Sequence, residues 1–211
     1  MAREGKRGVV RLTMKLRASI SAQTFDVLQP LKSFLPEIQA VATVCVKSHE
    51  NAYAPYSKFF VGAALLHSDG SVTAGCNYEN CIYQGTCAER CAIVSANCGG
   101  KRTAELVAVY GRSIDSSVPA APPQATCPPC GFCRQLLVEV AQLSGVDLPI
   151  LLITHSREEA KLVRLSTLLP SNFGPLDLGL DIEVWSDASK QMAAVAGHSS
   201  ATPKKKRDRE N

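Results

Sequence analysis

Two thiol clusters constrain this chain more than any other feature. Thr86-Cys87-Ala88-Glu89-Arg90 supplies one cysteine with a carboxylate two residues later. Farther along, Pro129-Cys130-Gly131-Phe132-Cys133-Arg134 supplies a Cys-x-x-Cys pair. Each cluster sits where a helix is predicted to begin. The first is preceded by Thr86, a good N-cap residue, and its helix is stopped by Gly99-Gly100. The second begins near Cys130 and ends before Gly145. A fold that uses all three thiols together must bring two helix N-termini to one point, where their positive dipole ends favour thiolates.

Three thiolates can hold Zn²⁺ at about 2.3 Å and leave a fourth position for water, with Glu89 placed to move that water's protons. Three thiolates and one divalent ion sum to a net negative charge, which makes a bound water too basic. Arg90 is the expected correction, donating to a thiolate and drawing off part of its charge. Other readings use the same residues. Cys-x-x-Cys alone also serves redox pairs and closed structural zinc sites, for which Cys127 would be the fourth ligand. Thr86-x-x-Glu89 is also a capping box, in which the glutamate serves only the helix end.

The rest of the sequence sets the frame. At 211 residues the chain suits one domain with tails. No apolar run approaches the roughly 20 residues of a membrane span, and the N-terminus lacks the apolar core of a secretory signal. The net charge is +4, but residues 1–17 carry a net +5 and residues 203–211 a net +3, which leaves the body at −4. A nucleic-acid-binding body would carry its own basic face, so the substrate is expected to be small and nucleic acid is not expected. Nine cysteines, an odd number, point to a reducing compartment and thus to the cytoplasm. The run Lys204-Lys205-Lys206-Arg207 would allow nuclear import.

Residues 1–30 have no clean period and are read as a basic, flexible extension, 31–186 as the catalytic domain and 187–211 as a disordered basic tail. A helix is predicted over 35–50, where Ile38, Val41, Ala42 and Cys45 share one face. Strands are predicted over 61–67 and 71–76, around the Ser68-Asp69-Gly70 turn, then over 106–110, 148–154 and 161–165. The small Gly62, Ala63 and Ala64 would let helices approach closely. The Pro-, Ala- and Ser-rich segment 113–126 reads as an exposed loop. Strands alternating with helices make an α/β layered domain.

Several segments together resemble the cytidine deaminases of the short-subunit, three-cysteine zinc class. They are Tyr53-Ala54-Pro55-Tyr56-Ser57-Lys58-Phe59-Phe60-Val61-Gly62-Ala63-Ala64-Leu65, Gly75-Cys76-Asn77-Tyr78-Glu79-Asn80, the two thiol clusters, and Leu168-Leu169-Pro170-Ser171-Asn172-Phe173-Gly174-Pro175. The resemblance implies a three-layer α/β/α fold with a mixed five-stranded sheet, and a homotetramer. It implies one zinc per subunit on Cys87, Cys130 and Cys133, with Glu89 as the proton-transferring residue. It also implies that Asn77 and Glu79 bind the ribose hydroxyls, that Phe59 packs on the base, and that Phe173 from a neighbouring subunit completes the pocket. The implied reaction is hydrolysis of cytidine or deoxycytidine to the uridine product and ammonia, as in pyrimidine salvage. Deaminases of nucleoside antibiotics and of polynucleotides use the same zinc chemistry, and a zinc-stabilised binding module without catalysis is the remaining alternative. The spacing from Asn80 to Cys87 is one residue shorter than usual for the family.

Overall fold

The computed structural model describes residues 13–199, with side chains through residue 196. The first twelve residues and the Lys204–Arg207 run therefore lie outside the described residues.

The elements run α1 (13–21), β1 (Leu28–Pro30), α2 (Pro36–His49), β2 (Phe59–Leu66), β3 (Val72–Cys76), α3 (Ala88–Cys98), β4 (Leu106–Ser113), α4 (Gly131–Ser144), β5 (Pro149–Ile153), β6 (Glu159–Arg164), α5 (Leu165–Leu168) and α6 (Ala188–Ser199). The six strands form one sheet in the order β1-β6-β5-β4-β2-β3. Only β4 and β5 pair in parallel, as the α4 crossover between them requires. All other neighbours are antiparallel.

Strand alternation divides the core into two layers. Leu106, Ala108 and Tyr110 of β4 face one side, with Leu151 and Ile153 of β5 and Ile38, Val41, Ala42 and Cys45 of α2. Val107 and Val109 face the other, with Ile150 and Leu152 and the buried faces of α3 and α4. Both sheet faces are thus covered, and the central strands read as continuous apolar runs rather than alternating ones. The three-layer α/β/α expectation holds.

The hairpin β2–β3 is where the helices come closest. A Cβ on Gly62 would stand 2.2 Å from the Cys45 carbonyl oxygen of α2, and one on Gly75 would stand 2.3 Å from the Ala92 nitrogen of α3. Both positions need glycine because backbone occupies the space a side chain would take. The close approach read from Gly62-Ala63-Ala64 is met, and the same device on β3 seats α3, the helix that carries the first thiol cluster.

The sheet has six strands rather than five. The additional strand, β1, pairs with β6 from Leu28↔Lys161 to Pro30↔Glu159. It lies in the stretch expected to be a flexible extension. Residues 13–30 instead belong to the folded body. Leu16 and Ile20, one helical turn apart on α1, are buried in the α2 layer. Arg17 forms a two-point ion pair with Glu105, which is 3% exposed, and also donates to the Ser144 carbonyl at 2.9 Å. A nine-residue helix with two buried positions and a three-residue strand are too short to show a clear period, so neither is legible in the sequence. At the other end, α6 occupies part of the stretch expected to be a disordered tail.

Replacing Arg17 removes the partner of a buried carboxylate. Arg17→Ala should cost about 2 kcal/mol in urea unfolding, and Arg17→Ala with Glu105→Gln should recover part of that loss. Equal stability of wild type and Arg17→Ala would show that α1 is not anchored by this pair.

Candidate metal centre

Cys87 is the N-cap of α3 and Cys130 the N-cap of α4, both with extended backbone. Cys133 lies in the first turn of α4 and is fully buried. The three sulfurs all lie within 4.8 Å of one another, and Cys87 Sγ is 3.8 Å from Cys130 Sγ. Among the described residues no further histidine, cysteine or carboxylate joins this group. Cys127 stands outside it, so a closed four-thiol site lacks its fourth ligand. All nine cysteines are free thiols.

Electrostatics favour a metal here. Hydrogen bonds from Cys133, and more weakly from Cys130, lower the Cys87 thiol to about 6 against the opposing effect of burial. The same bond raises Cys133, so negative charge settles first on Cys87. A divalent cation is the group that lets all three lose their protons together. Three soft donors with helix N-termini behind two of them suit zinc.

Glu89 sits in the first turn of α3 and is only 4% exposed. Burial raises its pKa, partly offset by hydrogen bonds from its own backbone N–H and from Cys133. The capping-box reading does not hold. Cys87, not Thr86, is the N-cap, and Thr86 instead exchanges two backbone hydrogen bonds with Tyr78. The Glu89 carboxylate is thus not committed to a Thr86 cap, and it lines a cavity of about 370 Å³ together with Cys87 and Cys130.

That cavity also reaches Phe59, Val61, Asn77 and Glu79. The Asn77 amide is anchored on β2, donating to the Phe59 carbonyl at 2.9 Å and accepting from the Val61 nitrogen at 2.8 Å. Each end of an amide still has one unused position for a ligand. Glu79 accepts from the Tyr56 nitrogen at 2.9 Å, the Ser57 nitrogen at 3.1 Å and the Ser57 hydroxyl. These bonds outweigh a desolvation that opposes them and keep the carboxylate ionised, below its ordinary pKa. Phe173 does not line the cavity of its own chain. It is 57% exposed, and its carbonyl accepts from Gln135 on the outer part of α4.

Arg90 is exposed and acts on Cys87 by charge, with no hydrogen bond to a sulfur. The second arginine has a clearer part. Arg134 donates to the Pro129 carbonyl at 2.8 Å and to the Leu168 carbonyl at 2.9 Å, tying the Cys130 loop to α5. Its position after Cys133 was visible in the sequence, but its partners were not.

A family model described as the cytidine and deoxycytidylate deaminase zinc-binding region matches residues 36–145. The chain belongs to this deaminase family. It is 36% identical over 148 residues to a cytidine deaminase of Sporosarcina psychrophila, covering 70% of this chain and 98% of that protein. It is 41% identical over 129 residues to a cytidine deaminase of Mycobacterium tuberculosis, covering 60% of this chain and 82% of the relative. Its fold is similar to the crystal structure of cytidine deaminase from Burkholderia pseudomallei, with TM-score 0.54 and 35% identity over 64% of this chain and 97% of that one. The matched region of the deaminase spans both thiol clusters and strands β2, β3 and β4, and the three sulfurs are positioned to hold the family's zinc.

Purified protein should carry one zinc per chain by elemental analysis. Cys130→Ser should lose most of it, because two thiols remain where three were gathered. Full zinc content in that variant would remove Cys130 from the ligand set.

Proposed function

We propose that this protein hydrolyses the exocyclic amine of cytidine or deoxycytidine, giving the uridine product and ammonia. The observation that carries this reading is the buried Glu89 carboxylate sharing one cavity with Cys87 and Cys130 of a three-thiol cluster that has no fourth ligand among the described residues.

Cys87, Cys130 and Cys133 would hold the zinc. Zinc bound by three protein ligands acts as a Lewis acid and lowers the pKa of a water in its open position to about 7. The remaining chemistry is assigned to Glu89. It takes a proton from the attacking water, places a proton on N3 so that C4 becomes electrophilic, and delivers a proton to the departing amine. A carboxyl whose pKa is raised by burial suits this exchange, since it must both accept and release protons near neutrality. The product keeps oxygen at C4, and nitrogen leaves as ammonia.

Asn77 and Glu79, which line the same cavity, suit the vicinal hydroxyls of ribose. Their side chains are fixed by β2 and by the Tyr56-Ser57 turn, so binding sugar costs little further ordering. Phe59 offers an aromatic face to the pyrimidine. Arg90 tunes the thiolate charge from outside. Nine free thiols fit a reducing location such as the cytoplasm.

Glu89→Gln should retain zinc and lose at least about a thousandfold in kcat for cytidine, followed by loss of ultraviolet absorbance. A variant that turns over at near wild-type rate would end this role for Glu89.

The working unit is inferred to be a homotetramer in which Phe173 closes a neighbour's pocket. Phe173 is exposed and away from its own cavity, and Phe132 and Val94 are 84% and 60% exposed on α4 and α3. Size-exclusion chromatography with light scattering should give about four times the 22.6 kDa chain. An active monomer would overturn the shared pocket.

A further inference from the structure

The nucleoside cavity has a neighbour. A second cavity of about 570 Å³ lies under the 113–126 loop, lined by Ser113, Asp115, Thr126 and His155 among others. Phe59 and Cys127 line both cavities, so these two side chains form the partition between them. Phe59 opens β2 and its carbonyl holds the Asn77 amide. Cys127 lies three residues before Cys130 in the Cys127-Pro128-Pro129-Cys130 segment. The partition therefore runs from the sugar end of the cavity to the thiol end.

What seats this partition is an absence on β4. Gly111 pairs with Val61 of β2 and stands directly behind Phe59 and Cys127. A Cβ at this position would lie 2.8 Å from Cys127 Sγ, 3.1 Å from Cys127 Cβ and 3.0 Å from Phe59 Cε1. Those separations are too short for carbon against sulfur or aromatic carbon, so one or both side chains would have to move. Cavities flank both side chains, so a shift of Phe59 or Cys127 either way reshapes the nucleoside cavity they line. The thiol of Cys127 suits its place in the wall. Burial pushes it up to about 11, so it stays a neutral, compact apolar group beside the Glu89 carboxylate rather than a competing anion.

We propose that Gly111 is a positioning residue that sets the width of the nucleoside pocket. It lets Cys127 and Phe59 lie flat as a wall against β4. This rests on the deaminase reading of the cavity. The wall acts on substrate binding and not on proton transfer, because Glu89 and the three thiols are carried by α3 and α4 rather than by β4.

The test is a cycle of Gly111→Ala, Cys127→Ala and the double variant. Each is measured for cytidine KM and kcat, for uridine binding by calorimetry, and for zinc content. Gly111→Ala should raise KM and the uridine Kd about tenfold, with zinc unchanged and kcat within about threefold of wild type. The double variant should recover part of both losses, because removing the sulfur relieves the shortest approach while those to Cys127 Cβ and Phe59 Cε1 remain. Unchanged uridine affinity in Gly111→Ala, or a double variant as impaired as Gly111→Ala, would overturn the proposal. Loss of zinc or of kcat in step with KM would overturn it as well, since the glycine would then be supporting the metal loop. Those results leave the deaminase reading intact if wild type turns over cytidine. A wild type that neither turns over cytidine nor binds uridine would remove that reading and the role of the wall with it.

Discussion

Everything in the site depends on one electrostatic requirement: three sulfurs that repel one another as anions must be held within 4.8 Å of one another. Two helices meet that requirement by beginning at the same place. Cys87 and Cys130 are themselves the N-caps of α3 and α4, so both thiols stand at the helix ends that carry the positive dipole. The depressed Cys87 thiol shows how far the protein alone stabilises a first thiolate. A zinc ion would complete that stabilisation for all three.

The sheet exists, from the standpoint of the site, to aim those helices. α3 approaches β3 closely because Gly75 has no side chain, and α4 is fixed by the same apolar layer, through Leu137, Val138 and Val140. Arg134 then ties the Cys130 loop to α5. β2 has a second duty. Its first residues, Phe59 and Val61, hold the Asn77 amide and form the cavity wall, so the strand that organises the core also shapes the substrate end.

The sequence was most legible where spacing alone carries chemistry. Cys87, Glu89, Cys130 and Cys133 were readable because a helix start places such residues close together; the structure gathers the three sulfurs and lines one cavity with Cys87, Glu89 and Cys130. The helix over 36–49 was readable from its apolar period, those over 88–98 and 131–144 from their start and stop residues, and the β2–β3 hairpin from its Ser68-Asp69-Gly70 turn. Residues 13–30 were not. Their contribution is two buried side chains, one ion pair and three paired strand residues, each meaningful only against a partner distant in sequence. The Thr86 cap was misread for a related reason: Thr86 obeys local propensity, but its backbone is claimed by Tyr78.

The sequence by itself determined the chemistry available: which donors could meet a metal, which carboxylate stands beside them, and that both sheet faces need covering. Tertiary structure decided the rest. It placed Cys127 in the pocket wall and outside the thiol cluster, kept Phe173 away from its own cavity, and made Gly111 matter by what lies in front of it. The physical reason is one of range. Helix and strand periods and ligand spacing are encoded over a few neighbouring residues, whereas the width of a cavity and the partner of a charge depend on atoms that only the folded chain brings together.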